Sequence, residues 1–194
     1  MSDELGRDLT TLEYMVLGQI SLQPQSGYSI ITTYESDLYR WSASPGSIYP
    51  ILKRLEKQGI LTSELEMVYE TRPRKVYSLT PLGEKMLDEW LKRPLTRQEV
   101  TVERDLVLRK FLLIEYRLTR QEVLAWLDNY EQETEGQQMI LEIQNIPEIK
   151  DLRSVHYQLF IEAVEMELEM QRRWIQMARR RLESEANQAT SNSR

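Results

Sequence analysis

Two short clusters of basic residues stand out in the first half of the chain. One spans residues 53–57 and the other spans residues 72–75, and each holds three Lys or Arg side chains. Cations grouped in this way can neutralise the phosphates of a nucleic-acid backbone. Isolated charges on a helix more often form a solvated face. The secondary structure that carries the clusters is therefore needed to choose between the two interpretations.

Catalytic and metal-binding chemistry has little support in the sequence. The chain has no cysteine, which excludes a thiolate nucleophile, a disulfide and a cysteine-ligated zinc site. His156 is the only histidine and opens a predicted amphipathic helix, where a surface residue is typical. Glu165 and Glu169 recur on the polar face of that helix and indicate solvation. We expect no enzyme, no metal and no cofactor.

The net charge of −6 argues at first sight against a nucleic-acid partner. Its distribution is uneven, however. Residues 26–81 hold seven Lys or Arg against six Asp or Glu, whereas residues 95–194 hold 14 against 18. The first half therefore provides the surface that could meet phosphates.

The first basic cluster lies on a predicted helix that runs from Ser44 to Gln58. A serine can cap the helix start, a proline fits its first position, and Gly59 is suited to end it. The inward positions of this helix are Ile48, Ile51, Leu52 and Leu55. Its outward positions are Gly46, Ser47, Tyr49, Pro50, Lys53 and Lys57. Pro50 removes one helical hydrogen bond and so predicts a local distortion.

The neighbouring segments predict a small mixed unit around this helix. Apolar residues at helical spacing predict two helices upstream, the second with Tyr28, Ile31 and Tyr34 as its apolar positions. Beyond Gly59 the period falls to about two, which predicts a β-hairpin with a basic turn at residues 72–75. A further helix begins at Thr80-Pro81 and ends by Pro94. This order is that of a winged helix-turn-helix.

Three further helices are predicted after this unit: Val102–Tyr116, Thr119–Ile146 and about Val155–Ala186. Thr119 and Glu122 form a capping-box pattern at the start of the second. The third would be roughly 48 Å long and carries two apolar rows, which favours a second copy of the chain as a partner. The residues expected in that dimer contact are Leu159, Ile161, Val164, Met166, Leu168, Met170, Trp174 and Ile175.

The fold class predicted from these patterns is mainly α with a small β-hairpin wing, joined to a helical dimerisation domain. The expected domains are residues 1–94 for DNA binding and residues 95–186 for dimerisation, followed by a disordered tail at 187–194. Trp126, Trp174 and the methionine row suit core packing better than an effector pocket, although the sequence leaves both open.

Two stretches carry a resemblance to a known family. Residues 44–61, SPGSIYPILKRLEKQGIL, resemble the recognition-helix motif of PadR-type regulators, and residues 74–83, RKVYSLTPLG, are similar to their second wing strand and the turn after it. The resemblance covers roughly residues 9–93. It implies DNA contact by the following residues: Tyr14, Ser44, Gly46, Ser47, Tyr49, Lys53, Lys57, Arg72, Arg74 and Lys75. For Arg54 an ion pair with a carboxylate and a phosphate contact remain equally open.

The function expected from the pattern and the resemblance is sequence-specific binding of double-stranded DNA by a homodimer. The expected role is repression at a palindromic operator, without a catalytic step. No apolar run approaches the ~20 residues that cross a bilayer, so a cytoplasmic protein with no membrane partner is expected. The alternative is a winged-helix interaction scaffold that does not bind DNA, and a small-molecule or protein effector stays open.

Overall fold

The computed structural model describes residues 8–36, 44–67, 73–144, 146 and 153–192, without the side chains of residues 34–36, 144 and 185–192. Its contacts divide the chain into an N-terminal unit, Met1–Leu91, and a C-terminal unit, Lys92–Arg194. Both are dominated by helix, and the three described strands form one small antiparallel sheet. The predicted class, mainly α with a β-hairpin wing, is confirmed.

The N-terminal unit follows the predicted order of elements with one addition. Residues Gln25 and Ser26 form a two-residue strand that pairs with Tyr77 and Val76. Two residues carry no periodic signal, and their partners lie some fifty positions away, so this strand could not be predicted. The elements are α1 (Thr11–Leu22), β1 (Gln25–Ser26), α2 (Gly27–Ser36), α3 (Pro45–Lys57), β2 (Leu61–Met67), β3 (Pro73–Leu79) and α4 (Pro81–Lys92).

The sheet has the order β1-β3-β2, and the hairpin of β2 and β3 is its larger part. Leu61 pairs with Leu79 at the base, and Met67 pairs with Pro73 at the outer end. Side chains alternate between the two faces of each strand, so Lys75 shares a face with Ser63 and Tyr77, whereas Arg74 lies on the opposite face with Glu66. The two basic residues of this strand therefore point to different sides of the wing.

A small apolar core joins the helices of this unit to the base of the hairpin. Helix α3 ends at Gly59, whose φ of 69° is the left-handed conformation that glycine adopts most readily. The Ile60 N–H then donates to the Leu55 carbonyl at 2.9 Å, as in a Schellman motif. The fully buried apolar side chains are Val16, Leu17, Ile30, Ile48, Leu52, Leu55, Ile60, Leu87 and Leu91.

The start of α4 is fixed against the end of α3 by close backbone contacts. The Thr80 hydroxyl lies 2.6 Å from the Gly59 carbonyl oxygen, and the Gly83 N–H donates to the Thr80 hydroxyl at 3.2 Å. A Cβ on Gly83 would lie only 2.3 Å from the Ile60 carbonyl oxygen. This close approach requires glycine and sets where α4 leaves the hairpin.

The C-terminal unit contains four described helices. Helix α5 was not predicted, and the predicted helix Val102–Tyr116 is interrupted at Glu103, where φ is −112° and ψ is 41°. The last helix continues to Asn192, past the predicted end near Ala186, because no Gly or Pro between Val155 and Asn192 stops it. The elements are α5 (Arg97–Val102), α6 (Arg104–Ile114), α7 (Arg120–Gln144) and α8 (Val155–Asn192).

Aromatic side chains form the core of this unit. Phe111 packs edge-on against Trp174 with ring centroids 4.8 Å apart, and Tyr130 packs edge-on against Trp126 at 5.8 Å. Burial raises the pKa of Tyr130 to about 12. These contacts support the packing interpretation of the two tryptophans over an effector pocket.

The predicted capping box of α7 is present, since the Glu122 N–H donates to the Thr119 hydroxyl at 3.3 Å and the Thr119 N–H donates to the Glu122 carboxylate at 2.8 Å. No helix in the described ranges combines the length and apolar character that a bilayer crossing requires. His156 is exposed, and the described residues bring together no cluster of three metal-ligating side chains.

Replacing Gly83 with alanine should destabilise the N-terminal unit by about 2 kcal/mol, because the new methyl group would meet a backbone carbonyl that cannot move freely. The matched control is Gly136→Ala in α7, where the nearest atom to the new Cβ would be an Arg97 nitrogen at 3.8 Å. That change should stabilise by roughly 0.5–1 kcal/mol. Urea unfolding of both variants measures the difference, and equal effects would contradict the close packing at Gly83.

Candidate nucleic-acid interface

One face of α3 is exposed along the whole helix. The buried side chains of α3 are Ile48, Ile51, Leu52 and Leu55. The exposed positions recur every three or four residues and therefore form a single stripe. Besides Pro45 at the helix start, they are Gly46, Tyr49, Pro50, Lys53 and Lys57. These five residues were assigned to the outward face from the sequence, and Ser47, which is half-buried, lies beside the stripe.

The first turn of α3 is closed by two serines. The Ser44 N–H donates to the Ser47 hydroxyl at 3.1 Å, and that hydroxyl donates to the Ser44 carbonyl at 2.9 Å. The Ser47 side chain therefore organises the helix start. A Cβ on Gly46 would have only the Ser44 hydroxyl within 4 Å, at 3.6 Å. The open space at Gly46 lets a ligand approach the backbone closely.

Tyr49 is held against the start of α2. A Cβ on Gly27 would lie 2.6 Å from Cε1 of the Tyr49 ring, so only glycine leaves room for the ring at this position. Tyr28, the next residue, is 73% exposed, although it is one of the apolar positions that follow the helical period. Ile30 and Ile31 fill the core from α2. Tyr28 is thus a surface residue of this helix.

A buried carboxylate fixes α3 on α1. Glu13 is fully buried and forms an ion pair with Arg54. The same carboxylate accepts the Thr10 N–H at 2.6 Å and the Thr10 hydroxyl at 2.9 Å, in the capping box of α1. Of the two alternatives left open for Arg54, the ion pair is therefore the one observed.

The two described basic residues of the wing both contact carboxylates. Lys75 Nζ lies 2.7 and 2.6 Å from the two oxygens of Glu56, and 5.6 Å from the centre of the Tyr77 ring. Arg74 donates from Nε to Glu66 at 2.7 Å. The hydrogen bonds from Lys75 and Ser63 lower the pKa of Glu56, and the bond to Glu56 raises the pKa of Lys75, so both stay charged near neutral pH.

Tyr14 does not belong to this surface. Its side chain is only 4% exposed, and its ring stacks on Trp90 with centroids 4.8 Å apart and planes 4° apart. The ring has almost no exposed surface with which to contact DNA. Tyr14 packs in the core instead of lying on the expected DNA-binding surface. Arg72, another expected contact, lies outside the described residues.

Two apolar residues of the wing were not identified from the sequence as surface residues. Leu65 and Met67 are 70% and 60% exposed and lie on the sheet face that carries Lys75. The alternation of the strand puts them on the same side as Leu61, which is buried. The hairpin extends beyond the core at this point, so the same face is buried at its base and exposed at its outer end.

The expected dimerisation residues of α8 fall into two groups. Ile161, Leu168 and Ile175 are buried within the C-terminal unit, where Leu168 and Ile161 pack with Leu141 of α7. Val164 packs against that cluster, and Trp174 packs against Phe111. The exposed group is Leu159, Met166 and Met170. Only this second group is available to a partner.

Two helices, a third helix with an exposed polar stripe and an antiparallel hairpin define the N-terminal unit as a winged helix-turn-helix. Residues 16–89 match the transcriptional regulator PadR-like family. The negative transcriptional regulator PadR of Bacillus subtilis is 32% identical over 106 residues, which cover 54% of this chain and 58% of that protein.

One further relative and one solved structure extend the comparison. The transcriptional regulator Rv3488 of Mycobacterium tuberculosis is 44% identical over 57 residues, covering 29% of this chain and 52% of that protein. The chain thus spans between 52% and 58% of the length of these curated relatives. The crystal structure of Bacillus subtilis PadR in complex with operator DNA has 24% identity and a TM-score of 0.44, and the alignment covers 92% of this chain and 99% of that one.

Replacing Arg54 with alanine should destabilise the N-terminal unit by about 2–3 kcal/mol, because the buried Glu13 carboxylate would lose its cation. Lys53→Ala is the matched control on the same helix. Lys53 is exposed, so its replacement should change stability by no more than about 0.5 kcal/mol. Chemical denaturation followed by far-UV circular dichroism compares the two, and a similar small effect for both variants would show that the ion pair does not hold α3.

Proposed function

We propose that this chain is a cytoplasmic, sequence-specific DNA-binding transcription regulator that acts as a homodimer and represses by occupying its operator. The observation that carries the proposal is the exposed stripe of α3, with a backbone opening at Gly46 and cations at Lys53 and Lys57. Repression by occupancy needs no catalytic step. The name of the Bacillus subtilis relative, a negative transcriptional regulator, supports the direction of the effect.

The geometry of α3 suits the major groove of DNA. An α-helix fits that groove, and side chains on its exposed face can reach base edges. Tyr49 and Ser47 lie near the start of the helix, while Lys53 and Lys57 lie one and two turns further along. We assign base and sugar contacts to the first pair and phosphate contacts to the second pair.

Lys53 and Lys57 differ from the other described cations of the unit in having no described carboxylate within ion-pair distance. A cation that lacks a protein partner is free to neutralise a phosphate at little cost. This favours a nucleic acid over a protein as the ligand of α3, since a scaffold surface would gain little from two such lysines. Exposed Leu65 and Met67 on the wing are compatible with contact to sugars or a groove wall.

The exposed apolar row of α8 supports the homodimer. Leu159, Ala163, Met166, Met170 and Met177 are exposed at spacings of four, three, four and seven residues. This is the spacing of a helix–helix seam, in which the same row on a second copy provides the cover. Helix α8 has 38 residues and is about 57 Å long, so it offers this row over many turns.

Replacing both Lys53 and Lys57 with alanine should weaken binding to promoter fragments and flatten its salt dependence. For every phosphate that is no longer neutralised, the slope of log K against log salt should fall by about 0.9. Lys85→Ala is the matched control, because Lys85 is exposed on α4 and pairs with Glu89. Fluorescence anisotropy at several salt concentrations gives the slopes. If the double variant keeps the slope of the unmodified protein, the exposed stripe of α3 does not meet phosphates.

Introducing charge into the exposed row of α8 should dissociate the dimer. In Leu159→Glu combined with Met166→Glu, four carboxylates would face each other across the seam, and the chain should sediment as a monomer. Gln176→Glu adds a charge at an exposed position outside this row and should leave the dimer intact. Sedimentation equilibrium measures the mass of each. A dimer that persists in the double variant would place the interface elsewhere.

A further inference from the structure

Glu56 is the residue of α3 that contacts both strands of the wing. One carboxylate oxygen accepts the Ser63 hydroxyl of β2 at 2.5 Å and Lys75 Nζ of β3 at 2.7 Å. The other oxygen accepts Lys75 Nζ at 2.6 Å. Ser63 and Lys75 are diagonal neighbours on one face of the hairpin, because Ser63 pairs with Tyr77. A single carboxylate thus joins three elements.

We propose that Glu56 is a positioning residue that fixes the wing relative to α3 through Ser63 and Lys75, and that Lys75 serves this bond instead of neutralising a DNA phosphate. The inference rests on the proposed DNA-binding function and changes the role that the sequence resemblance implied for Lys75. Lys53 and Lys57 then carry the phosphate contacts of α3, while Lys75 sets where the wing lies beside them.

The placement of Glu56 explains why such a bond is needed. Glu56 lies between Lys53 and Lys57 in sequence, and an unpaired carboxylate there would repel phosphates. Lys75 cancels this charge. The hydrogen bonds from Lys75 and Ser63 keep the carboxylate directed toward the hairpin and lower its pKa, so it remains the charged partner of Lys75.

The Arg74–Glu66 pair provides an internal comparison. Glu66 and Arg74 are direct cross-strand partners, so their ion pair joins β3 to β2 and does not involve α3. The two cations are exposed to a similar degree and each pair has a closest N–O distance of 2.6 Å, although Glu56 is more buried than Glu66. Removing the Glu66 charge therefore controls for the absence of a wing ion pair, whereas removing the Glu56 charge tests the bond between wing and helix.

The first experiment measures the wing position without DNA. The chain has no cysteine, so Lys57→Cys with Met67→Cys places two spin labels, one on α3 and one at the outer end of β2. Adding Glu56→Gln should broaden the label–label distance distribution measured by double electron–electron resonance, and adding Glu66→Gln should leave it unchanged. An unchanged distribution in Glu56→Gln, or equal broadening in both variants, would overturn the proposal.

The second experiment separates positioning from phosphate contact. Lys75→Ala should weaken binding to a selected operator fragment by about three- to tenfold, which lies in the lower half of the range of coupling between contacting residues. The variant carrying both Glu56→Gln and Lys75→Ala should bind no more weakly than Lys75→Ala alone, because both changes break one bond. The salt slope is compared in this double variant, because Lys75→Ala alone would leave the Glu56 charge uncompensated, and the double variant should keep the slope of the unmodified protein. A slope reduced by about 0.9 in the double variant would identify Lys75 as a phosphate contact and overturn the assignment.

The two experiments keep this inference apart from the proposed function. An unmodified protein that binds no DNA fragment would refute the regulator proposal, yet the spin-label distances would still decide whether Glu56 fixes the wing. Conversely, a protein that binds DNA while Glu56→Gln leaves the wing in place would retain the regulator proposal and lose the positioning role. Thermal unfolding of each variant, with unchanged midpoints expected, confirms that the comparisons are made on folded protein.

Discussion

The buried carboxylate of Glu13 is the constraint on which the N-terminal unit depends. A charged group without solvent must be satisfied completely by protein partners. Glu13 meets this requirement by capping α1 through Thr10 and by pairing with Arg54 on α3. The bond sets the rotation of α3 about its own axis, with Ile48, Leu52 and Leu55 inward. Because one face is fixed inward, Gly46, Tyr49, Lys53 and Lys57 are fixed outward.

The parts of the fold that could be predicted from sequence are those with local signals. Ser44-Pro45 and Gly59 mark both ends of α3, and the change of period after Gly59 marks the hairpin. Helix α5 also had a signal, since Thr96 and Glu99 form a capping box of the kind recognised at Thr119 and Glu122. It was missed because six residues contain too few apolar positions to show a period.

The residues whose burial the sequence did not indicate depend on contacts between distant parts of the chain. Tyr14 is buried because Trp90, seventy-six positions away, offers a ring to stack on, and Tyr28 is exposed because Ile30 and Ile31 already fill the core. On α8 the two apolar rows look equivalent in sequence, and only packing against α7 shows that the row of Ile161 and Leu168 is covered. The sequence around an aromatic or aliphatic side chain does not show which part of the fold will cover it.

A chain with a net charge of −6 can still present a cationic surface where the carboxylates next to that surface are paired with cations. In the N-terminal unit Glu13 faces Arg54, Glu56 faces Lys75 and Glu66 faces Arg74. Each of these pairs cancels locally and uses its charges to hold elements together. Lys53 and Lys57 remain on the exposed side of α3 without such a partner among the described side chains. Screening limits the reach of exposed charges to about 8 Å at physiological salt, so these two lysines act on groups that come close to α3. What α3 can bind is therefore determined by which side chains on its exposed face stay unpaired, and not by the net charge of the chain.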